Sequence, residues 1–445
     1  MKYSALALLI VSPMLLGSVQ PIWQFMWIVY IGLIGTLYAI RTLKGKTSYL
    51  KIRNTSGQRK WSILLFIMFI LWSSLQSTYT DPRLCTDSFF PTECMPRFVS
   101  FNPQNSIKIT LLFLAHFLLF WLVADDPNRN KYNFIIFRSI PIIATCYAVY
   151  GLAVYWGGNE YILWFPKERY VGALTSTFVN RNSFAAYLGI GVIISISLTL
   201  HMFSKRLPFG KKTDSRVTVS ELFMTFSNSW HMILISLILL TALLLTGSRG
   251  GTISTILGLV CLVYLHTSNS RTTKLNRFAI IFVVLSLALF SGLNSGDLLS
   301  ERLQQSNVIN NERFEMYSTL LAAVKENLYT GTGLGTFKNV FPLFRGSNIE
   351  TVFFRGHNDY LELVLTSGII GSLLLLGALL LLFLSILAEA RNGSRHCIVT
   401  FSSLAITVQI ASHSLLDFPL QIPAVSFLYT MILALALSSS ESTYT

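Results

Sequence analysis

Charge is scarce in this chain, and negative charge most of all: 12% of the 445 residues are charged, with 20 Asp and Glu against 34 Lys and Arg. So few charges, set among long apolar blocks, leave no soluble domain of ordinary size. Nor is there a soluble basic face for nucleic acid, because the net +14 sits in short loops between apolar segments. No cluster of His, Cys or carboxylates has metal-ligand spacing and no paired aspartates occur in the longer loops, which argues against a metal centre. Cysteine is sparse as well, at five. Cys85 and Cys94 share a loop in which a disulfide can form, whereas Cys146, Cys261 and Cys397 lie in or beside apolar segments and read as packing residues. A cleavage site is also missing. Ala5 to Gly17 follows Lys2 in the manner of a signal peptide, but no small-x-small site separates it from the next apolar stretch, so it is expected to stay as a first helix.

What is present is apolar: 52% of residues are hydrophobic, in blocks long enough to cross a bilayer. A hydrocarbon core of about 30 Å needs about 20 helical residues per crossing. Apolar runs place helices near 5–18, 22–40, 61–79, 106–124, 134–155, 183–203, 229–246, 251–266, 278–292, 359–388, 398–412 and 423–438. The reading is an all-α polytopic membrane protein of about twelve transmembrane helices, the first two also being compatible with a re-entrant pair. Three parts follow: helices one to nine over 1–292, a long loop over 293–358, and helices ten to twelve over 359–445. The loop from Arg41 to Lys60 carries seven basic residues and no acid, and the loops after His201 and His266 are basic too. All fall on one face under this count, so that face and both termini are cytoplasmic by the positive-inside rule. The loops at 80–105, 157–182 and 293–357 then face the periplasm across a bacterial inner membrane.

The last of these loops is long enough to be functional. Within it Tyr317, Leu320, Leu321, Val324 and Leu328 recur at helical spacing, which predicts an amphipathic helix on the bundle, with Arg313 one turn before Tyr317 on the same stripe. Three features resist explanation as packing. In Leu245-Thr-Gly-Ser-Arg-Gly-Gly251, Arg249 stands among glycines at a helix junction, where a guanidinium offers a fork of donors to phosphate oxygens or simply snorkels. In Phe354-Arg-Gly-His-Asn-Asp-Tyr360, His357 enters the next helix as a candidate general base or as a cap, with Asn358 or Asp359 capping. Arg313 adds a second cation on the same side, unless it pairs with Glu312 or Glu350. The segments Ser176-Thr-Phe-Val-Asn-Arg-Asn-Ser183 and Ser412-His-Ser-Leu-Leu-Asp-Phe-Pro419 put Asn180, Arg181 and Asp417 at the same rim, to bind sugar hydroxyls or to cap helices, and Asn358 joins them as a possible contact. Thr330-Gly-Thr-Gly-Leu-Gly-Thr336 resembles a nucleotide loop but follows a helix, so a mobile loop beside the site is expected.

These residues resemble the O-antigen ligase and surface-polysaccharide (Wzy-type) polymerase family of integral membrane glycosyltransferases. The resemblance rests on Gly247-Ser-Arg-Gly-Gly251, on the Arg313 helix leading into Gly331 to Phe337, and on His357-Asn358 followed by Gly368 and Gly371, with nine residues between Asn358 and Gly368. It covers the C-terminal half specifically and the remainder by helix count. It implies a GT-C-like helical fold that moves a glycan from undecaprenyl pyrophosphate to an acceptor hydroxyl with inversion and without a metal or other cofactor. It maps the catalytic histidine to His357 and the pyrophosphate-binding arginines to Arg249 and Arg313. The acceptor is a second repeat unit in a polymerase, served by a chain-length regulator, or a lipid A core in a ligase. Phe178-Val-Asn-Arg-Asn-Ser183 and Asp417-Phe-Pro-Leu-Gln-Ile-Pro423 look more like exopolysaccharide polymerases. A flippase or transporter for lipid-linked sugars is the alternative of another class, but no internal repeat is visible and the distinctive charges sit at one face.

Overall fold

The structure, a computed structural model, describes residues 2–44, 57–78, 100–125, 129–206, 219–269, 315–346, 352–391 and 397–438. The helix expected at 278–292, Arg313, Cys85 and Cys94 lie outside them. The described residues are almost wholly helical: α1 (Lys2–Met14), α2 (Pro21–Leu43), α3 (Gly57–Thr78), α4 (Pro103–Ala124), α5 (Arg129–Trp156), α6 (Arg181–Arg206), α7 (Val219–Leu245) and α8 (Arg249–Asn269). There follow α9 (315–326), α10 (Phe337–Phe344), α11 (Asp359–Arg391), α12 (Cys397–His413) and α13 (Pro423–Ser438). Seven are long and apolar enough to cross a bilayer, and α1 and the apolar parts of α7, α12 and α13 are shorter. With Phe25, Leu33, Leu37, Leu71 and Leu373 exposed on the outer faces, this is a helical membrane protein. The thirteen residues of α1 reach only about 20 Å, short of a full hydrocarbon core. A turn at Leu16–Ser18 folds α1 against α2, with Tyr30 Oη bonded to Ser4 O.

The bundle is built around α6, whose Phe184, Leu188, Ile190 and Ile193 are buried against α5, α7, α8 and α12. Small residues permit the close approach that packing between membrane helices requires. A Cβ on Gly258 of α8 would lie 2.9 Å from Ala405 O of α12. The two ends of the bundle are distinct. At one end Tyr38 bonds Asp125 at 2.6 Å and Arg59 bonds Ser385 at 3.1 Å and pairs with Glu389. At the other, Thr177 Oγ1 bonds Pro13 O at 2.8 Å, Leu174 N bonds Leu245 O at 3.1 Å, and the segments around 100, 332 and 357 gather. Cys146 is exposed on α5 rather than packed, while Cys261 is partly buried.

The described part of the long loop forms a small core of its own, in which Met316, Leu320, Ala323 and Val324 of α9 meet Phe337, Val340, Phe341, Phe353 and Leu365. The buried stripe of α9 is thus rotated from the expected one. Leu321 and Leu328 are exposed, and Met316, Ala323 and Asn327 take their place, because the helix docks on α10 and on the first turns of α11.

Nor does the glycine segment behave as an open loop. Gly331 to Leu334 are buried, Thr332 N and Gly333 N donate to Leu365 O and Thr366 O, and Ser106 Oγ donates to Leu334 O. Those carbonyls are free to accept because α11 breaks at Gly368, whose φ of 68° and ψ of 177° only glycine adopts readily. Ile369 N then donates to Leu328 O at 2.7 Å. A side chain on Gly331 or Gly368 would collide with the other strand's backbone, so each glycine lets the other in.

Candidate functional site

His357 is placed by the extended segment 352–358 before α11. Phe353 anchors that segment in the small core, edge-on to Phe341 at 6.1 Å. Gly356 N then donates to Glu362 Oε2 at 2.7 Å, and Arg355 Nη1 donates to Glu362 Oε1 at 3.3 Å. The chain so held turns His357 to a φ of +46°, a left-handed conformation uncommon for a residue with a side chain. Tyr317 Oη donates to His357 O at 3.0 Å and fixes the turn from α9.

The imidazole points across the helix ends to the loop after α12. Its Nδ1 lies 3.0 Å from Asp417 Oδ1, and the ring meets Phe418 edge-on at 5.1 Å. Asp417 is buried at 4% side-chain exposure, while His357 keeps 16%. Burial alone would raise the Asp417 carboxyl. The hydrogen bond and charge of His357, the neighbouring His413 and a bond from Asn182 outweigh it and hold the group below its usual value. An ionised carboxylate only accepts, so the neutral histidine must carry its proton on Nδ1. Nε2 is left with a free lone pair. The contact sets the tautomer of the imidazole, in the relation an aspartate has to histidine in hydrolytic triads.

Arg249 starts α8 at the same end of the bundle and is exposed, with no ion pair among the described residues. Gly250 brings that first turn against the Asp417 loop: a Cβ there would lie 3.4 Å from Leu416 and 3.7 Å from His413. Ser248 Oγ caps this turn by accepting from Gly251 N at 3.2 Å, and a guanidinium at the helix start offers its own donors to an anion. Arg181, the first residue of α6, stacks over Tyr170 at 5.4 Å, and the Asn180 side chain accepts from Asn182 N at 2.8 Å. Asn180 thus caps α6 while Asn182 reaches Asp417. Asn358 is likewise engaged, accepting from Tyr360 N and Leu361 N at 3.0 Å and donating to Leu415 O at 3.1 Å. The loop between α5 and α6 is pinned by Lys167, whose ammonium bonds Asn159 Oδ1 at 2.8 Å and Ala173 O at 2.7 Å and is pushed down to about 8 by burial.

His357, Arg249, Asn180, Arg181, Asn358 and Asp417 thus share one end of the bundle. Asp417 stands there as the partner of the histidine, and Asn180 and Asn358 as caps. Their connections through Asn182, His413 and Glu362 carry no signal in the chain order, since they join residues up to about 235 positions apart. Among the described residues no three His, Cys, Asp or Glu side chains are grouped to hold a metal ion. No curated protein matches the sequence. Residues 234–376, from the middle of α7 to the part of α11 just beyond its break, match the family model described as O-antigen ligase. The stretch includes Arg249, Arg313 and His357, and it bears out the resemblance to the O-antigen ligase and surface-polysaccharide polymerase family.

Proposed function

We propose that the chain transfers a glycan from an undecaprenyl-pyrophosphate-linked donor to an acceptor hydroxyl, and that it thereby polymerises repeat units of a surface polysaccharide. The observation that carries this reading is the His357–Asp417 pair at 3.0 Å, at the same end of a membrane bundle as the exposed Arg249, which has no ion pair among the described residues. That end is the periplasmic one in a bacterial inner membrane, with the basic loops and both termini on the cytoplasmic side. His357 Nε2 takes the proton of the acceptor hydroxyl as its oxygen attacks the anomeric carbon. The bond from that carbon to the phosphate oxygen breaks, and the electron pair leaves with the pyrophosphate. Arg249 and Arg313 meet the charge that develops on the leaving group, where a metal ion serves in other transferases. One displacement inverts the anomeric centre and needs no metal or cofactor.

Two segments favour polymerisation. Phe178–Ser183 and Asp417–Pro423 look more like exopolysaccharide polymerases than like core ligases, and the two segments lie together in the fold, with Phe178 and Ile422 both closing on Gly17. The other reading, ligation of the finished glycan to a lipid A core, is favoured by the description of the matched family. The substrates are then the lipid-linked glycan and an acceptor glycan or core, in contact with membrane lipids, and a chain-length regulator is the expected partner of a polymerase.

The test is His357→Ala in cells lacking the native gene. The protein should reach the membrane in normal amount while polysaccharide is lost, since general-base catalysis contributes about 10²- to 10⁴-fold. Normal polysaccharide from this variant would overturn the reading.

A further inference from the structure

Two acids lie in the first turn of α11: Glu362 is buried and Asp359 partly buried. Acids there often serve only to offset the helix dipole. These two do more, because each reaches a different segment of the site. The Asp359 carboxylate accepts from Ser414 Oγ at 2.9 Å, from Leu420 N at 3.3 Å and from Gln421 Nε2 at 3.0 Å, and Asp359 N donates to Ser414 O at 2.9 Å. One side chain therefore grips both ends of the turn 414–421, and Asp417 lies at its middle. Glu362, buried at 4%, grips the other strand through Gly356 N and Arg355, one residue before the left-handed His357. Asn358, between them, caps the helix and holds Leu415 O. The first turn of α11 is thus bonded to residues flanking both partners and to neither reacting side chain.

We propose that Asp359 and Glu362 are positioning residues: the first turn of α11 sets the distance between His357 and Asp417, Asp359 by fixing the aspartate's turn and Glu362 by fixing the histidine's strand. The proposal rests on the reading of His357 as the base. A histidine held in an uncommon backbone conformation needs such a frame, because relaxation of either strand would separate Nδ1 from Oδ1. Misplacement by about 1 Å can cost on the order of 10²-fold in rate without loss of substrate binding.

The experiment uses the purified full chain and, as probe, the lipid-linked glycan that accumulates in cells lacking this protein. Asp359→Asn keeps the size of the side chain but turns one acceptor into a donor facing Ser414, Leu420 or Gln421, and Glu362→Gln removes the Arg355 ion pair. Each should lower kcat by about 10- to 100-fold with the KM for donor unchanged. A purely structural role predicts independent losses. A positioning role predicts that Asp359→Asn combined with Asp417→Asn is no slower than Asp417→Asn alone, because both act through the same contact. Losses that multiply in the double variant, or a raised KM with kcat kept, would overturn the proposal. If Asp359→Asn does not yield a monodisperse protein, Gln421→Leu, which removes one of its donors, takes its place in the same cycle. His357→Ala runs beside them: an inactive His357→Ala with multiplying losses refutes the positioning role alone, and an active one removes the base assignment beneath it.

Discussion

At the scale of single residues the proposed reaction divides its labour between a base, His357, and the cations of Arg249 and Arg313. Lysine at position 249 or 313 keeps the charge and loses the bidentate fork, so Arg249→Lys and Arg313→Lys should each lower transfer at least about tenfold in purified protein. Wild-type rates from both would make these arginines structural. Asp417 gives a second test, by pH. Its folded carboxyl titrates below the unfolded value, so its contribution to stability is complete above the unfolded carboxylate range. That contribution fades as pH falls through the depressed value. Melting temperatures of wild type and Asp417→Asn should therefore converge in acid and separate toward neutrality, and a constant gap across that range would contradict the assignment. His357 and Arg249 are legible in the sequence because a polar group next to glycines at the end of an apolar run has no packing role to fill. Asp417 is visible as a polar residue too, but not as the partner of His357, since the contact joins two loops that only the packing of α11 beside α12 brings together.

At the scale of elements, apolar runs mark helices well because a membrane helix must satisfy its own backbone bonds over its whole length. The expected intervals for α6, α12 and α13 differ from the observed ones by no more than a few residues. Where helices leave the lipid the signal weakens. The buried stripe of α9 differs from the periodic one because the helix docks on α10 and α11 rather than on lipid, which leaves Leu321 and Leu328 exposed and buries Met316 and Ala323. The spacing between Asn358 and Gly368 has a physical meaning once folded: it is the length of the first segment of α11, from the cap beside the base to the break that accepts the glycine strap. Gly368→Ala should cost on the order of 1–3 kcal/mol in backbone strain alone, before the collision with Tyr329 O, and yield of folded protein should fall sharply. Normal yield and melting temperature would show that the break is dispensable.

At the scale of the whole molecule, the proposed topology is tested at the two ends of the bundle. The exposed Trp164 and the His357 site lie toward one end, and the exposed Lys44, at the foot of α2, lies toward the other. In a variant freed of its five native cysteines, Trp164→Cys should react with an impermeant thiol reagent in intact cells and Lys44→Cys only after lysis. Reaction of both from outside would overturn the topology. The central claim, that His357 acts as the base while Arg249 holds the donor pyrophosphate and meets its developing charge, is tested most directly by titrating purified protein in EDTA with the lipid-linked glycan and measuring binding and turnover together. His357→Ala should bind donor as the wild type does and turn it over about 10²- to 10⁴-fold more slowly, while Arg249→Ala should lose affinity for the donor. Near-normal turnover by His357→Ala, or a wild type inactive until a divalent metal is restored, would contradict the account.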